Sequence, residues 1–447
     1  MTTERGAAGG SGASAEATLE CARHRDATDP LRHFAARFAL PRDARGAPLT
    51  YLCGHSLGPM PLAAREVVLE ELDDWARLAV LGHETARRPW LHYHEHLRTG
   101  LEYLTGARPG EVVAMSSLTI NLHLMLASFY RPSGRRTKIL IESGVFPSDR
   151  HAVASQIAWH GLDPRTELIE LAPAAGEELL REAELEHVLS TRGDEIATVL
   201  WPAVQYRTAQ AFDLAAVARA ARRAGCIVGF DLAHAIGNVP LALHACDADF
   251  AVWCSYKYLN GGPGAVGGCF VHERHGAGER LPRLAGWWGH DPVTRFDMRP
   301  EFRAAPGAAG WQVSNPPILS SAPLIASLAI FREAGIERLR EKSVALGRFL
   351  EQLLAPLGVT SITPSDPRAR GAQLSIRVAG SPGAPRTTGH SAETRSRRIL
   401  ESLAKSGVIC DLRPPDLIRV APAPLYNGFQ DVFHFAERLR EALGTHP

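Results

Sequence analysis

Two short segments carry the residue types with the most chemical use. Gly229-Phe230-Asp231-Leu232-Ala233-His234 ends an apolar run in a carboxylate, and an imidazole follows one helical turn later. Ser255-Tyr256-Lys257-Tyr258 ends the next apolar run, just before the glycine-dense stretch Leu259 to Gly268. Taken alone, Asp-x-x-His is equally a capping pair or a surface turn, and a lone lysine is ordinarily a solvated surface residue. The order strand, Asp-x-x-His, strand, Ser-x-Lys is what pyridoxal 5′-phosphate (PLP) chemistry requires: Asp231 to keep the pyridine nitrogen protonated, and Lys257 to form the Schiff base. Such a lysine is neutral for part of its cycle, which desolvation by Trp253, Tyr256 and Tyr258 would favour. The glycines permit close approach of backbone to a ligand. They lack the Gly-x-x-x-x-Gly-Lys-Ser/Thr order of a nucleotide-phosphate loop.

A phosphate needs its own anchors. Ser117-Leu118-Thr119 introduces an apolar helical stretch, so hydroxyl and backbone N–H donors are offered at a helix N-terminus. The plain alternative is an ordinary Ser/Thr cap. Tyr256 adds a further hydroxyl. Phe146-Pro147-Ser148-Asp149 follows the strand around Ile139 and sets an aromatic ring, able to stack on a cofactor, beside a carboxylate.

These residues have to be held by a scaffold of suitable size. A chain of 447 residues with 45% hydrophobic and 22% charged residues has the material for two domains, or for one large domain with a satellite. Apolar runs at 138–142, 196–201, 226–231, 249–253 and 268–271 alternate with amphipathic stretches, which predicts an α/β domain whose ligands sit beyond the carboxyl ends of its strands. Beyond about 320 the pattern predicts one long helix from Pro323 to about Leu354, strands near 373–376 and 418–420, a solvent loop over 378–395, and a tail helix from Gln430 to Leu443. The expected division is a disordered tail at 1–18, an N-terminal arm at 19–85 serving the small domain and an interface, a large cofactor-binding domain at 86–319, and a small domain at 320–447.

Lys plus Arg (49) nearly cancel Asp plus Glu (48), so no overall field draws the chain to nucleic acid or to an anionic membrane. The seven cysteines form no Cys-x-x-Cys pair, and neither a metal site nor a disulfide framework is expected. With no apolar h-region at the start and no run of roughly eighteen apolar residues, the expected location is the cytoplasm.

From Tyr51 to about Leu443 an ordered set of segments resembles kynureninase. They include Tyr51-Leu52-Cys53-Gly54-His55-Ser56-Leu57-Gly58, Gly82-His83-Glu84, Arg88-Pro89-Trp90, Gly286-Trp287-Trp288-Gly289-His290, Ser314-Asn315-Pro316-Pro317 and Arg419-Val420-Ala421-Pro422, besides those already named. The resemblance implies the type I fold of PLP-dependent transferases: a large domain with a mostly parallel mixed sheet, a smaller α+β C-terminal domain, and a homodimer with active sites at the subunit interface. It implies Lys257, Asp231 and Tyr256 as catalytic. Leu118, Thr119, Phe146, Pro147, Ser148, Asp149, Pro202, His234, Trp287 and Asn315 would surround the cofactor, the last two reaching in from the partner subunit. Ser56, His83, Ser314, Asn315 and Arg419 would meet the substrate, with Arg419 clamping its α-carboxylate.

The implied reaction is hydrolytic Cβ–Cγ cleavage of L-kynurenine or 3-hydroxy-L-kynurenine to L-alanine and an anthranilate. The polar trio His83, Ser314 and Asn315 leads us to expect the hydroxylated substrate to be used at least as well; the plain alternative is that His83 only packs beside Pro89 and Trp90. Two positions depart from the family pattern: His55 stands where many relatives have Asn, and Pro202 where a small Ser-type residue is usual. A cysteine desulfurase on the same fold would want a mobile cysteine in a loop of the small domain, whereas Cys410 continues an apparent strand. A non-catalytic scaffold would predict loss of Lys257 or Asp231.

Overall fold

Strands buried on both faces need continuous apolar sequence, and the runs read above supply it. In this computed structural model, which describes residues 17–276, 281–378 and 390–444, a seven-stranded sheet collects them. Its strands are β1 (Val112–Ala114), β2 (Lys138–Glu142), β3 (Leu168–Leu171), β4 (Ile196–Pro202), β5 (Ile227–Asp231), β6 (Phe250–Trp253) and β7 (Gly268–Val271). The spatial order is β1-β7-β6-β5-β4-β2-β3. Strands β2 to β6 are parallel, and β7 runs antiparallel to both of its neighbours.

Side chains alternate across this sheet into two apolar layers. Val199, Trp201, Phe230 and Trp253 belong to one, and Leu200, Phe250 and Val252 to the other. The register sets Pro202 beside Asp231 and Asp231 beside Val252, so β4, β5 and β6 end at one edge. Gly229 makes that pairing possible, because a Cβ there would lie 2.1 Å from the Phe250 ring.

Around the sheets lie α1 (Leu19–Thr28), α2 (Leu62–Leu78), α3 (Glu95–Thr105), α4 (Leu118–Phe129), α5 (Pro147–Trp159), α6 (Ile318–Ala334), α7 (Ile336–Leu354), α8 (His390–Lys405) and α9 (Phe429–Leu443). The single helix expected from Pro323 to Leu354 is two. Gly335 takes φ +78° between α6 and α7, and their axes differ by 80°. Helix α6 also starts earlier than expected and carries Pro323 inside it, where the proline removes only the one donor that would have faced Leu319. α6 packs on α2 and α3, with Leu328 against Gly100.

A four-stranded antiparallel sheet of β8 (Thr360–Ser361), β9 (Leu374–Arg377), β10 (Asp411–Arg413) and β11 (Leu417–Val420), in the order β8-β9-β11-β10, backs the C-terminal core around Phe349, Ile418 and Phe435. Val408–Ile409 pairs in parallel with Thr50–Tyr51, and α1 packs on α9. The tail expected at 1–18 lies outside the described residues up to residue 16. The loop expected over 378–395 lies outside them at 379–389, and from His390 onward the chain is helical, which corrects the end of that reading. No single helix among the described residues is long and apolar enough to cross a membrane.

Candidate active site

The turn after β6 that carries Lys257 is pinned from outside. Gly58 N donates to Tyr256 O at 2.8 Å, and Gly261 N donates to Ser255 O at 2.8 Å. A Cβ at Gly58 would lie 2.4 Å from Lys257 O, so glycine is what lets the Tyr51–Gly58 segment lie against the turn.

A cavity of about 170 Å³ opens beside this turn. Lys257 and Tyr256 line it from the turn, Asp231 and His234 from the end of β5, and Pro202 from the end of β4. The starts of two helices complete the wall: Leu118 and Thr119 from α4, and Phe146, Ser148 and Asp149 from the start of α5. Pro147 opens α5 and does not line the cavity. Lys257 is half-buried, with Nζ 5.8 Å from the centre of the Phe146 ring and 5.9 Å from that of Tyr256. Trp253, expected to help desolvate it, packs on Gly268 instead.

Burial raises the carboxyls of Asp149 and Asp231 above their ordinary range. At Asp149 the charge of Asp231 adds to the rise, whereas at Asp231 the Lys257 ammonium opposes it. The pair is therefore placed to share one proton. Asp231 Oδ1 also accepts from Ala233 N at 2.7 Å, while Asp149 Oδ2 is buried without a hydrogen-bond partner among the described residues. Burial, then the charges of Lys257 and Arg419, hold His234 well below its usual value, so its imidazole is neutral. Burial, then Cys254, pushes the Tyr256 phenol up, so it keeps its proton at neutral pH.

The ordinary Ser/Thr cap, the plain alternative to a phosphate anchor at α4, does not form. Ser117 is extended (φ −133°) and makes no capping hydrogen bond, and Phe146 before α5 makes none either. Two helix N-termini thus face the cavity without a side-chain cap, and their hydroxyls meet, Thr119 Oγ1 lying 2.6 Å from Ser148 Oγ.

The polar lining residues Glu142, Gln205 and Tyr206 escaped the sequence reading, as did the apolar Val145 and Val204. Glu142 ends β2 much as Asp231 ends β5, and that shared position was the available signal. Gln205 Nε2 donates to Glu142 Oε1 at 3.2 Å, and burial pushes the carboxyl up to about 8. Arg419 lies buried in β11. Only 1% exposed, it donates from Nε to Asp411 Oδ1 at 2.8 Å, from Nη2 to Asp411 Oδ2, and from Nη1 to Tyr206 O at 2.6 Å. Asp411 was not foreseen.

The remaining expected residues do not line this cavity within their own chain. His83 sets its ring edge-on to Trp90, with centroids 5.6 Å apart. Ser56, Ser314 and Asn315 are exposed, and Trp287 is 44% exposed with Nε1 donating to Arg295 O at 3.1 Å.

The family models described as "Aminotransferase class-V" and "Kynureninase C-terminal domain" match residues 58–384 and 339–439. A kynureninase of Xanthomonas campestris pv. campestris (strain B100) is 54% identical over 417 residues, covering 93% of this chain and 95% of the relative. One of Myxococcus xanthus (strain DK1622) is 52% identical over 421 residues, covering 94% and 96%. The chain belongs to the kynureninase family.

Kynureninases share their fold more widely. The cysteine desulfurase CsdA from Escherichia coli superposes with a TM-score of 0.71 at 19% identity, covering 93% of this chain and 98% of its own. A mutant of C-DES with glycine covalently linked to its PLP cofactor superposes with a TM-score of 0.72 at 20% identity, covering 88% and 96%. These likenesses show the type I fold alone. The desulfurase alternative gains nothing from Cys410, which follows the Val408–Ile409 strand and whose thiol burial pushes up.

The donor set of the cavity fits PLP on the structure's own terms. Uncapped helix N-termini and paired hydroxyls suit a phosphate, and the unpartnered Asp149 Oδ2 beside Asp231 suits a protonated ring nitrogen. Phe146 offers a ring face, and Lys257 the amine.

Proposed function

We propose that this chain hydrolyses the Cβ–Cγ bond of L-kynurenine or 3-hydroxy-L-kynurenine, giving L-alanine and anthranilate or its 3-hydroxy derivative, with PLP held in the Lys257 cavity. One observation carries the reading: Lys257, the Asp231–Asp149 pair and two uncapped helix N-termini meet in one cavity of a chain more than half identical to kynureninases. Bound there, PLP supplies an electron sink that weakens bonds at the substrate α- and β-carbons.

The chain's own residues do the rest. Lys257 Nζ would hold the cofactor and, as a free amine, would take the substrate α-proton. Asp231, with the proton on Asp149, keeps the ring nitrogen protonated. Leu118, Thr119, Ser148 and Tyr256 hold the phosphate from this chain, and the partner subunit's Trp287 and the partner subunit's Asn315 do so across the interface. Phe146 would cover the ring, neutral His234 would serve the phenolic oxygen, and Pro202 would give apolar contact. Tyr256 Oη, which keeps its proton, delivers it to Cβ after cleavage.

Arg419 has five N–H donors, of which Asp411 and Tyr206 take three. Among the described residues one N–H is left on each terminal nitrogen, the pair that can grip a carboxylate bidentately. Ser56, His83 and Ser314 complete the substrate site in a homodimer. Supporting that assembly, Leu57, Met60 and Leu69 are exposed large apolar residues on one groove that also includes Val68 and Pro323. The seven free thiols suit a reducing compartment, and the reading places the enzyme in the cytoplasm.

The test is Lys257→Ala, assayed by anthranilate fluorescence and by borohydride reduction of bound cofactor. Turnover is expected to fall by roughly 10³-fold or more, with no reducible link to the protein. Retention of either within tenfold of the unaltered enzyme overturns the assignment.

A further inference from the structure

The carboxylate that holds Arg419 has a second neighbour. Asp411 accepts from Arg419 at both oxygens and from Arg413 Nη2 at Oδ2, 3.1 Å away. On its other side stands His55, fully buried, with Nε2 3.3 Å from Asp411 Oδ1. Neither ring nitrogen of His55 has a well-directed hydrogen-bond partner among the described residues. Its ring centre lies 6.3 Å from that of His234, so it neighbours both the carboxylate that orients Arg419 and an imidazole that lines the cavity.

Burying an imidazole with unmet nitrogens is costly, and a long contact to a carboxylate is a poor return for packing alone. Burial is also the main reason its pKa is held down to about 4, with Arg419 and Arg413 lowering it and Asp411 opposing. His55 is therefore neutral, and Nε2 is the ring atom it turns toward Asp411. A cation there would compete with Arg419 for the same oxygen.

We propose that His55 is a positioning residue for substrate binding, steadying Asp411 so that the two free N–H groups of Arg419 stay aimed at the substrate α-carboxylate. This rests on the reading of Arg419 as the carboxylate clamp. His55 fixes Oδ1 in place, Oδ1 fixes Nε, and the far edge of the planar guanidinium follows. Without the imidazole, Asp411 turns on its own bonds and carries the guanidinium with it.

The experiment compares His55→Ala, His55→Gln and Arg419→Gln as PLP-loaded enzymes. KM and kcat for L-kynurenine are measured together with calorimetric Kd values for L-alanine, which has the carboxylate, and for decarboxylated kynurenine, which lacks it. In His55→Ala, KM and the L-alanine Kd are expected to rise together by roughly tenfold, with a smaller effect on kcat and none on the decarboxylated ligand. His55→Gln, whose amide N–H reaches the place of the imidazole Nε2, is expected to recover to within about threefold. Arg419→Gln should lose roughly 100-fold in L-alanine affinity.

If Arg419→Gln loses that affinity and His55→Ala keeps it, the His55 inference is overturned while the clamp stands. If Arg419→Gln keeps it, the clamp reading fails and takes the inference with it. Equal weakening of both ligands in His55→Ala, or a glutamine variant as poor as the alanine one, assigns His55 to packing and also overturns the proposal.

Discussion

Three carboxyls in one cavity differ in what holds their protons. Glu142 has its pKa pushed up to about 8 by burial, against 4.5 for a free side chain. Between those values the folded chain binds a proton that the unfolded chain has released. The contribution of Glu142 to stability is thus complete below about pH 4.5 and is lost as the pH rises toward 8. Glu142→Gln keeps the shape and removes the titration, so its thermal midpoint should exceed that of the unaltered enzyme by a few degrees at pH 9 and converge with it at pH 5, as read by scanning calorimetry. A pH-independent difference would contradict the buried-proton assignment. The Asp231–Asp149 pair behaves otherwise, since one member must stay charged. Asp231→Asn should lower kcat/KM by roughly 10²-fold or more, while Asp149→Asn, which still offers a hydrogen-bond donor, should cost about tenfold. Equal losses in steady-state kinetics would mean that the proton is not carried on Asp149.

Among the elements, β5 is where stability and site are most tightly joined. Gly229 faces the Phe250 ring of β6, and Asp231 follows two residues later on the same strand. Gly229→Ala forces the strands apart at an overpacking cost of about 1–3 kcal/mol. The expected result is a midpoint lower by several degrees and weaker retention of PLP on gel filtration, because the shift reaches Asp231. Loss of stability with full cofactor retention would separate the two. The break at Gly335 is the other decisive element: sequence periodicity runs through it, and only the left-handed φ turns α7 away from α6 toward the C-terminal core.

For the whole molecule, the residues left outside the cavity set the expectation. If the sites are shared between subunits, mixing an inactive Lys257→Ala enzyme with an inactive Asn315→Ala enzyme should restore up to about a quarter of normal activity once subunits exchange, because only hybrid dimers hold one intact site. No recovery after demonstrated exchange would place each site within one chain. The same geometry bears on substrate choice. His83, Ser314 and Asn315 would meet the ring hydroxyl across the interface, where an unpaired buried hydroxyl costs roughly 1–3 kcal/mol. The kcat/KM for 3-hydroxykynurenine should therefore equal or exceed that for kynurenine, and His83→Phe should shift the ratio about tenfold toward kynurenine. An unchanged ratio leaves His83 as the packing partner of Trp90 that it is within its own chain.

By itself the sequence determined the strand order of chemistry: a carboxylate closing one apolar run, a lysine closing the next, and hydroxyls opening a helix. Those features are local, since a buried parallel strand needs apolar residues throughout and its carboxyl end is where polar residues can begin. It carried the family as well, through motifs spread from Tyr51 to Arg419. The tertiary structure decided what no local pattern encodes. Glu142 and Gln205 join the cavity because β2 and β4 are neighbours in the sheet, Asp411 meets Arg419 because β10 pairs with β11, and His55 reaches Asp411 because the Tyr51 segment pairs with Val408–Ile409 and with Ala421. Protonation followed from the same source. Whether a carboxyl holds its proton depends on the water excluded and the charges gathered around it, and those come from residues far apart in the chain.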